Sequence, residues 1–311
     1  MTTLMMPAVQ ASRTACSKNR VNSVAFRFKP NAGVHEELTR IAQERVHIAL
    51  QHMENLDEDP VHAIHQARRQ TKMLRALFRL ARAELEAQGT YKLDYKTVRQ
   101  AAKNLSSQRD SDVALKTLAM LCEETDIAAA LSSISKIEKK LTSNGTSPIK
   151  KKVLRESAER FVSLMEQQDS RIASWKPQTK GKRTLQRGWA RTYQDARDGM
   201  MTMLAEESAK TLHAWRKHVK YHHYHIRLLG TVALLDLSKR RRKTAELERC
   251  LGEHHDLVVL NELLDDLKGI GKKDLAALRT AISSLLTKKE KRAVHLGDVL
   301  FSRKQAPSLF K

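Results

Sequence analysis

The stretch IHQARRQTKMLRALFRL, residues 64–80, sets its basic and apolar side chains at different phases of a helical repeat. At about 100° per residue, His65, Arg68, Lys72, Arg75, Arg79 and Arg82 fall within an arc of roughly 100°. Leu74, Leu77, Phe78 and Ala81 fall on the opposite side, so a helix can bury that face while a basic stripe about 25 Å long stays outside the core. A second stretch, LHAWRKHVKYHHYHIRLL (212–229), holds five histidines and four Lys/Arg without an acid. Its His213, Arg216, Lys220, His223, Tyr224 and Arg227 also share an arc of about 100°, with Trp215, Val219, Ile226 and Leu229 on a separate apolar side. Like charges at i, i+3 and i+4 repel, and solubilising faces usually mix signs, so two acid-free stripes point to an anionic ligand.

The two stretches are followed by similar words, KNLSSQRDSDVAL in the first half and RCLGEHHDLVVL in the second. His65 precedes Asp110 by 45 residues and His213 precedes Asp256 by 43. Order and spacing agree, which indicates an internal duplication. Between these words the chain has only 11 Gly and 6 Pro, and apolar residues recur at i, i+3, i+4 and i+7 almost throughout. The pattern predicts an all-α protein, with helices near 33–55, 60–88, 91–124, 126–141, 149–175, 184–236 (broken), 239–267 and 272–293. The clearest break is TSNGTSP, 142–148, where Asn-Gly and Ser-Pro punctuate a helix and divide the chain near its middle. The segment 176–191 carries Pro177, Gly181 and Gly188 with Lys/Arg and no acid, and reads as a basic loop or a solvated linker.

The 311 residues contain 57 Lys+Arg against 35 Asp+Glu, a net charge of +22. That balance calls for a polyanion: nucleic acid, an acidic membrane surface or a phosphate polymer. Cys16, Cys122 and Cys250 are odd in number and far apart, which suggests neither a disulfide framework nor a zinc knuckle, and a cytoplasmic setting fits. No window reaches the roughly 18 apolar residues of a membrane span. Residues 1–24 lack acids and read as a disordered basic tail with a weak similarity to a transit peptide.

His218, His222 and His225 fall near the apolar side of the second stretch. A pair at i, i+4 can chelate a metal, but no carboxylate or cysteine lies nearby in the sequence, and core histidines with hydrogen-bond partners are expected instead. Asp110 and Asp256 read as acids at helix starts or as partners that orient a basic neighbour, not as catalysts.

The words HQARRQTKMLRALFRL, LSSQRDSDV, HAWRKHVKYHHYHIRLL and LGEHHDLVVL, with FRFKPNAGVHEELTRIA at 26–42, together resemble the CHAD family over roughly residues 25–303. The resemblance implies a first repeat at about 33–142, a linker at 142–148, a second repeat at about 149–303 and a tail from 304. It implies two similar helical bundles related by a pseudo-twofold axis, with a basic groove or channel between them that binds inorganic polyphosphate. The implied ligands are His65, Arg68, Lys72 and Arg75, with Arg79 on the same stripe, answered by His213, Arg216, Lys217, Lys220, Tyr224 and Arg227. Arg99, Lys103, Arg109, Arg249 and His255 are further positions, and Asp110 and Asp256 would orient their neighbours.

Three positions depart from the family pattern: His223 stands where many members place an arginine, Ser106 replaces a glycine, and His255 replaces the arginine of an Arg-Asp pair. Because histidine titrates near neutrality, polyphosphate binding is expected to tighten as pH falls from about 8 to 6. Some members are fused to a catalytic domain marked by Glu-x-Glu-x-Lys on a strand; ELEAQ and ELERC here lack the lysine and sit in helical pattern. A binding protein of the cytoplasm, associated with polyphosphate granules and without metal or cofactor, is therefore expected. The alternatives are a nucleic-acid-binding helical protein, disfavoured by only 5% aromatics away from the stripes, and a polyphosphate-modifying phosphohydrolase, which needs a metal or positioned base.

Overall fold

A computed structural model describes residues 26–105, 110–125, 127, 131, 134–145, 151–177, 181–206 and 208–310, with backbone alone for 110–112, 142–145 and 151. Among the described residues there are eleven α-helices, one 3-10 turn and no strand. They are α1 (Val34–Glu54), α2 (Pro60–Leu80), α3 (Arg82–Ala87), α4 (Tyr91–Asn104), α5 (Asp110–Glu124), α6 (Ile134–Gly145) and α7 (Lys151–Ala173). After these come α8 (Gly181–Glu206), α9 (Ala209–Leu229), α10 (Ser238–Leu263) and α11 (Lys272–Phe301), with the 3-10 turn at Leu264–Asp266 between the last two.

Local chemistry sets several of these boundaries. Asp59 caps α2 by accepting from the His62 amide at 3.0 Å, and Pro60 supplies the fixed φ of a first helical residue. Ser208 and Thr211 form a reciprocal capping box that starts α9. The helix expected over 60–88 is two helices, because the ladder is interrupted at Ala81 before α3 begins. The one expected over 91–124 is likewise interrupted after Asn104. Helix α6 runs through TSNG and ends at Gly145, inside the break expected at 142–148. The end of the chain is not a loose tail: Leu309 is buried, and its amide donates to Gln186 Oε1 at 2.8 Å.

Helices α1, α2, α4 and α7 pack as one four-helix group, and α8, α9, α10 and α11 as another. A smaller core joins α5 and α6 to the end of α10 and the start of α11 through Leu118, Leu121, Ile137, Leu257, Leu260 and Ile282. The groups do not fold around separate cores. Tyr221, Tyr224, Ile226, Leu228 and Leu229 of α9 enter the core of the first group, while Trp215 and Val219 of the same helix enter that of the second. Buried side chains of this size each contribute about 1.5–3 kcal/mol, so α9 ties the halves together. The N-terminal segment clips its end: Phe28 N donates to Leu228 O at 3.0 Å, satisfying a carbonyl of the last turn.

The basic loop expected at 176–191 is largely the first part of α8. Pro177 precedes the helix, and Gly188 lies inside it because a Cβ there would sit 2.0 Å from Leu80 O. This glycine serves close packing of α8 on the end of α2, not a turn. Gly188→Ala is expected to push the helices apart and cost about 1–3 kcal/mol, read as a lower denaturation midpoint; an unchanged midpoint would contradict this packing role.

Candidate functional site

An open cleft of about 730 Å³ lies where α2, α5, α9 and α10 converge. From α2 come His65, Arg68, Arg69 and Lys72; from α9 come Lys220, His223, Tyr224 and Arg227; from α5 comes Lys116. The helical spacing read in the sequence is what places each set on one face. Arg68 Nη1 donates at 2.6 Å to Leu105 O, just beyond the C-terminus of α4, where a cation meets the negative end of the helix dipole. Arg227 lies over the rings of Phe26 and Tyr224, each 5.9 Å away, which props its guanidinium against the wall.

The cleft is not purely cationic. Six Lys/Arg and four carboxylates line it, and the carboxylates decide its character by how they are engaged. Glu253 is held by Lys289 at 2.7 Å, and the same lysine reaches Glu124 of α5 at 2.6 Å. Asp59 is the cap of α2. Glu248 pairs with Lys220 at 2.8 Å. Burial pushes the Glu248 carboxyl up, but Lys220, His223 and Arg216 outweigh it and hold the pKa below its usual value. Asp256, the fourth carboxylate, stands on the same wall. The stripe on α9 thus does meet an acid, supplied by the neighbouring helix, where no sequence-local pattern could reveal it.

The histidines of α9 divide into two groups. His222 and His225 are fully buried. His225 Nε2 donates to Ala76 O at 2.9 Å, and burial, partly offset by this bond, lowers its pKa to about 4. His222 stacks on Trp189, ring centroids 4.3 Å apart, and its Nε2 accepts from Arg240 Nε at 3.1 Å. Burial lowers its pKa well below 6.5, with Arg240 adding to the effect. Arg240 itself sits among Trp189, Tyr193 and Phe301, and burial pushes its guanidinium down to about 10. His218 is only partly buried and faces Asp195, 3.8 Å from Nδ1 to Oδ2, rather than sharing a site with His222. Among the described residues no cluster of three or more His, Cys, Asp or Glu side chains is placed to hold a metal ion.

On the cleft face, burial is also the largest influence on His223 and lowers its pKa; Glu248 opposes this, while Arg227, Lys220 and Arg241 add to it. Burial pushes the Tyr224 phenol up, so it stays protonated and can donate a hydrogen bond into the cleft.

The other sequence-derived positions distribute around this centre. Arg75 lies among Tyr95, Tyr221 and Tyr224, outside the cleft lining. Arg79 is committed to Asp195 at 2.7 Å and stacks over Tyr221 at 4.6 Å. Arg82 pairs with Glu86 on α3 at 2.6 Å. Arg216 passes close to Gly252 of α10, and its charge reaches Glu248. His213 is exposed and meets His255, ring centroids 4.6 Å apart, beside a separate small pocket. Arg99, Lys103, Lys217 and Arg249 are exposed away from the lining. Arg109 and Ser106 lie outside the described residues, and of Asp110 only the backbone, opening α5, is described. Sequence reasoning missed Arg69, Lys116 and Glu248. Arg69 is adjacent to the stripe, and the other two lie on other helices.

The family model described as CHAD domain matches residues 40–265. The crystal structure of the CHAD domain from the plant Ricinus communis is similar with a TM-score of 0.62 and 17% identity, covering 91% of this chain and 96% of that one. No curated protein matches the chain. No helix among the described residues is long and apolar enough to cross a membrane.

The buried histidines make stability depend on pH. A folded pKa below the unfolded value of 6.5 means the unfolded chain binds the proton first, so stability falls as pH drops through 6.5 and levels off below about 4. His225 alone is expected to cost about 2 kcal/mol at pH 5. Denaturant titrations at pH 7 and 5 should show a smaller fall for His225→Gln than for the parent chain; equal falls would show that His225 is not the linked group.

Proposed function

This chain belongs to the CHAD family, and from that premise we propose that its α2–α9 cleft binds inorganic polyphosphate and that the protein acts by binding rather than catalysis. The observation that carries the reading is the convergence of Arg68, Arg69 and Lys72 with Lys220 and Arg227 on one open cleft, although the two sets come from opposite halves of the chain. A polymer bearing about one negative charge per phosphate can engage both walls at once, through arginine forks and lysine point charges. Tyr224 supplies a neutral donor between them. The cleft's carboxylates favour the same reading. Glu253 and Glu248 are each neutralised by a lysine, so a dense polyanion meets a cationic balance, whereas a singly charged ligand would gain little over the Lys220–Glu248 pair it disturbs.

The same reading assigns the protein to the cytoplasm, in association with polyphosphate granules.

Lys72→Glu and Lys220→Glu, on opposite walls, are each expected to weaken binding of long-chain polyphosphate at least tenfold, about 1.4 kcal/mol, in a titration at fixed salt. Parent-like affinity in both would overturn the cleft as the site. Shortening of the chains on incubation with Mg²⁺ or Mn²⁺ would instead establish an enzyme.

The pH dependence follows from His223. Its pKa in the empty cleft is lowered, and bound phosphate raises it, so binding takes up a proton. Affinity then rises as pH falls from about 8, and the rise continues below 6.5 because the empty-cleft value lies there. His223→Gln is expected to reduce the slope. Identical slopes for variant and parent would rule out His223 as a contributor.

A further inference from the structure

The basic segment at the start of α8 takes no part in the cleft. Arg183, Arg187 and Arg191 are all exposed and recur every four residues, so they form a row about 12 Å long at 1.5 Å per residue. The opposite side of α8 is the packed one, where Leu185, Trp189, Tyr193 and Ala196 are buried and Trp189 lies on His222. His218 and His222 are in turn on the side of α9 opposite Lys220, His223 and Arg227. The arginine row therefore faces solvent behind α9, away from the cleft.

Many arginines of the surface are matched with acids. Arg40, Arg82, Arg155, Arg171, Arg279 and Arg292 each hold a carboxylate. Among the described residues no carboxylate lies within ion-pair distance of Arg183, Arg187 or Arg191. Their mutual repulsion at i, i+4 is left in place. The end of the chain adds to it. Trp189 Nε1 donates to Pro307 O at 3.0 Å and Tyr193 OH to Arg303 O at 2.9 Å, which straps residues 303–309 along α8 and brings exposed Arg303 and Lys304 alongside.

We propose that this outer face of α8 is a second polyanion surface, which docks the phosphate backbone of duplex nucleic acid independently of the cleft. Guanidinium forks suit phosphate oxygens, and each strand of a duplex offers one charge per about 3.4 Å of its axis, so a row of this length spans about three to four phosphates of one strand. A single strand would need exposed rings to stack its bases, but Trp189 and Tyr193 are buried in the core. A membrane surface would favour apolar side chains beside the row. The exposed apolar residues of α8, Met201 and Leu204, lie at its far end, beyond Asp198. Docking is independent of sequence, since Gln186 is engaged by Leu309 N and Gln194 by Asp198 at 2.7 Å, leaving the backbone contacts to dominate.

The test uses the full chain and a labelled duplex of about 20 base pairs at several salt concentrations, with three to five phosphate contacts giving a log–log slope of about −3 to −4.5. Arg183→Glu/Arg187→Glu/Arg191→Glu should weaken duplex binding at least about 30-fold, on the scale of those lost contacts, and leave polyphosphate affinity within about twofold. Lys72→Glu/Lys220→Glu should do the reverse. The corresponding triple Gln variant, which keeps three helix-forming residues, should show an intermediate loss and guards against a folding defect in the Glu variant. Three results overturn the proposal: no duplex binding by the parent chain, duplex binding lost in the cleft variant and kept in the α8 variant, or α8-dependent binding to phosphatidylglycerol vesicles without duplex binding. Failure of the parent to bind polyphosphate would refute the cleft reading alone.

Discussion

Helix α9 has to be buried and charged at once. Eleven of its residues are buried, eight of them in two different cores, yet Arg216, Lys220 and Arg227 keep one line of its surface cationic. Sealing those charges inside would cost several kcal/mol per ion, far more than the few tenths by which neighbours on the stripe repel. The fold meets this constraint by opening a cleft along the charged line and setting Glu248 of α10 against Lys220. On the opposite line the problem is met by neutrality. His222 and His225 are polar enough to bond Arg240 and Ala76 O, and burial keeps their pKa values low enough to avoid charge.

The same conflict explains the treatment of α2. Its N-terminal half faces the cleft with His65, Arg68 and Lys72, whereas toward its C-terminus the stripe turns under the second helical group. There Arg79 is half-buried and is matched with Asp195 and the face of Tyr221. One continuous stripe in the sequence therefore serves two purposes: ligand-facing charge at one end and inter-group pairing at the other.

Helical periodicity made the fold class and the buried face of α2 legible, since Leu74, Leu77 and Phe78 are fully buried as the wheel predicts. The inward placement of His222 and His225 was legible for the same reason. Features decided between helices were not. Glu248 opposes Lys220, and Asp195 takes Arg79, over sequence separations that no local pattern records. Gly181 and Gly188 read as loop formers because glycine usually signals freedom of the backbone, yet Gly188 is helical and marks where another backbone passes. The site was legible where it lies on α2 and α9, and hidden where α5 and α10 complete it.

A ligand that enters between α2 and α9 must shield the lysines of both walls, and lysine reactivity reports that shielding. Acetylation of the full chain, read by mass spectrometry with and without one equivalent of long-chain polyphosphate, reports each lysine separately. Protection of Lys72, Lys116 and Lys220, with exposed Lys152 unchanged, is the predicted result. Unaltered reactivity at those three cleft lysines while the polymer is bound would contradict the account.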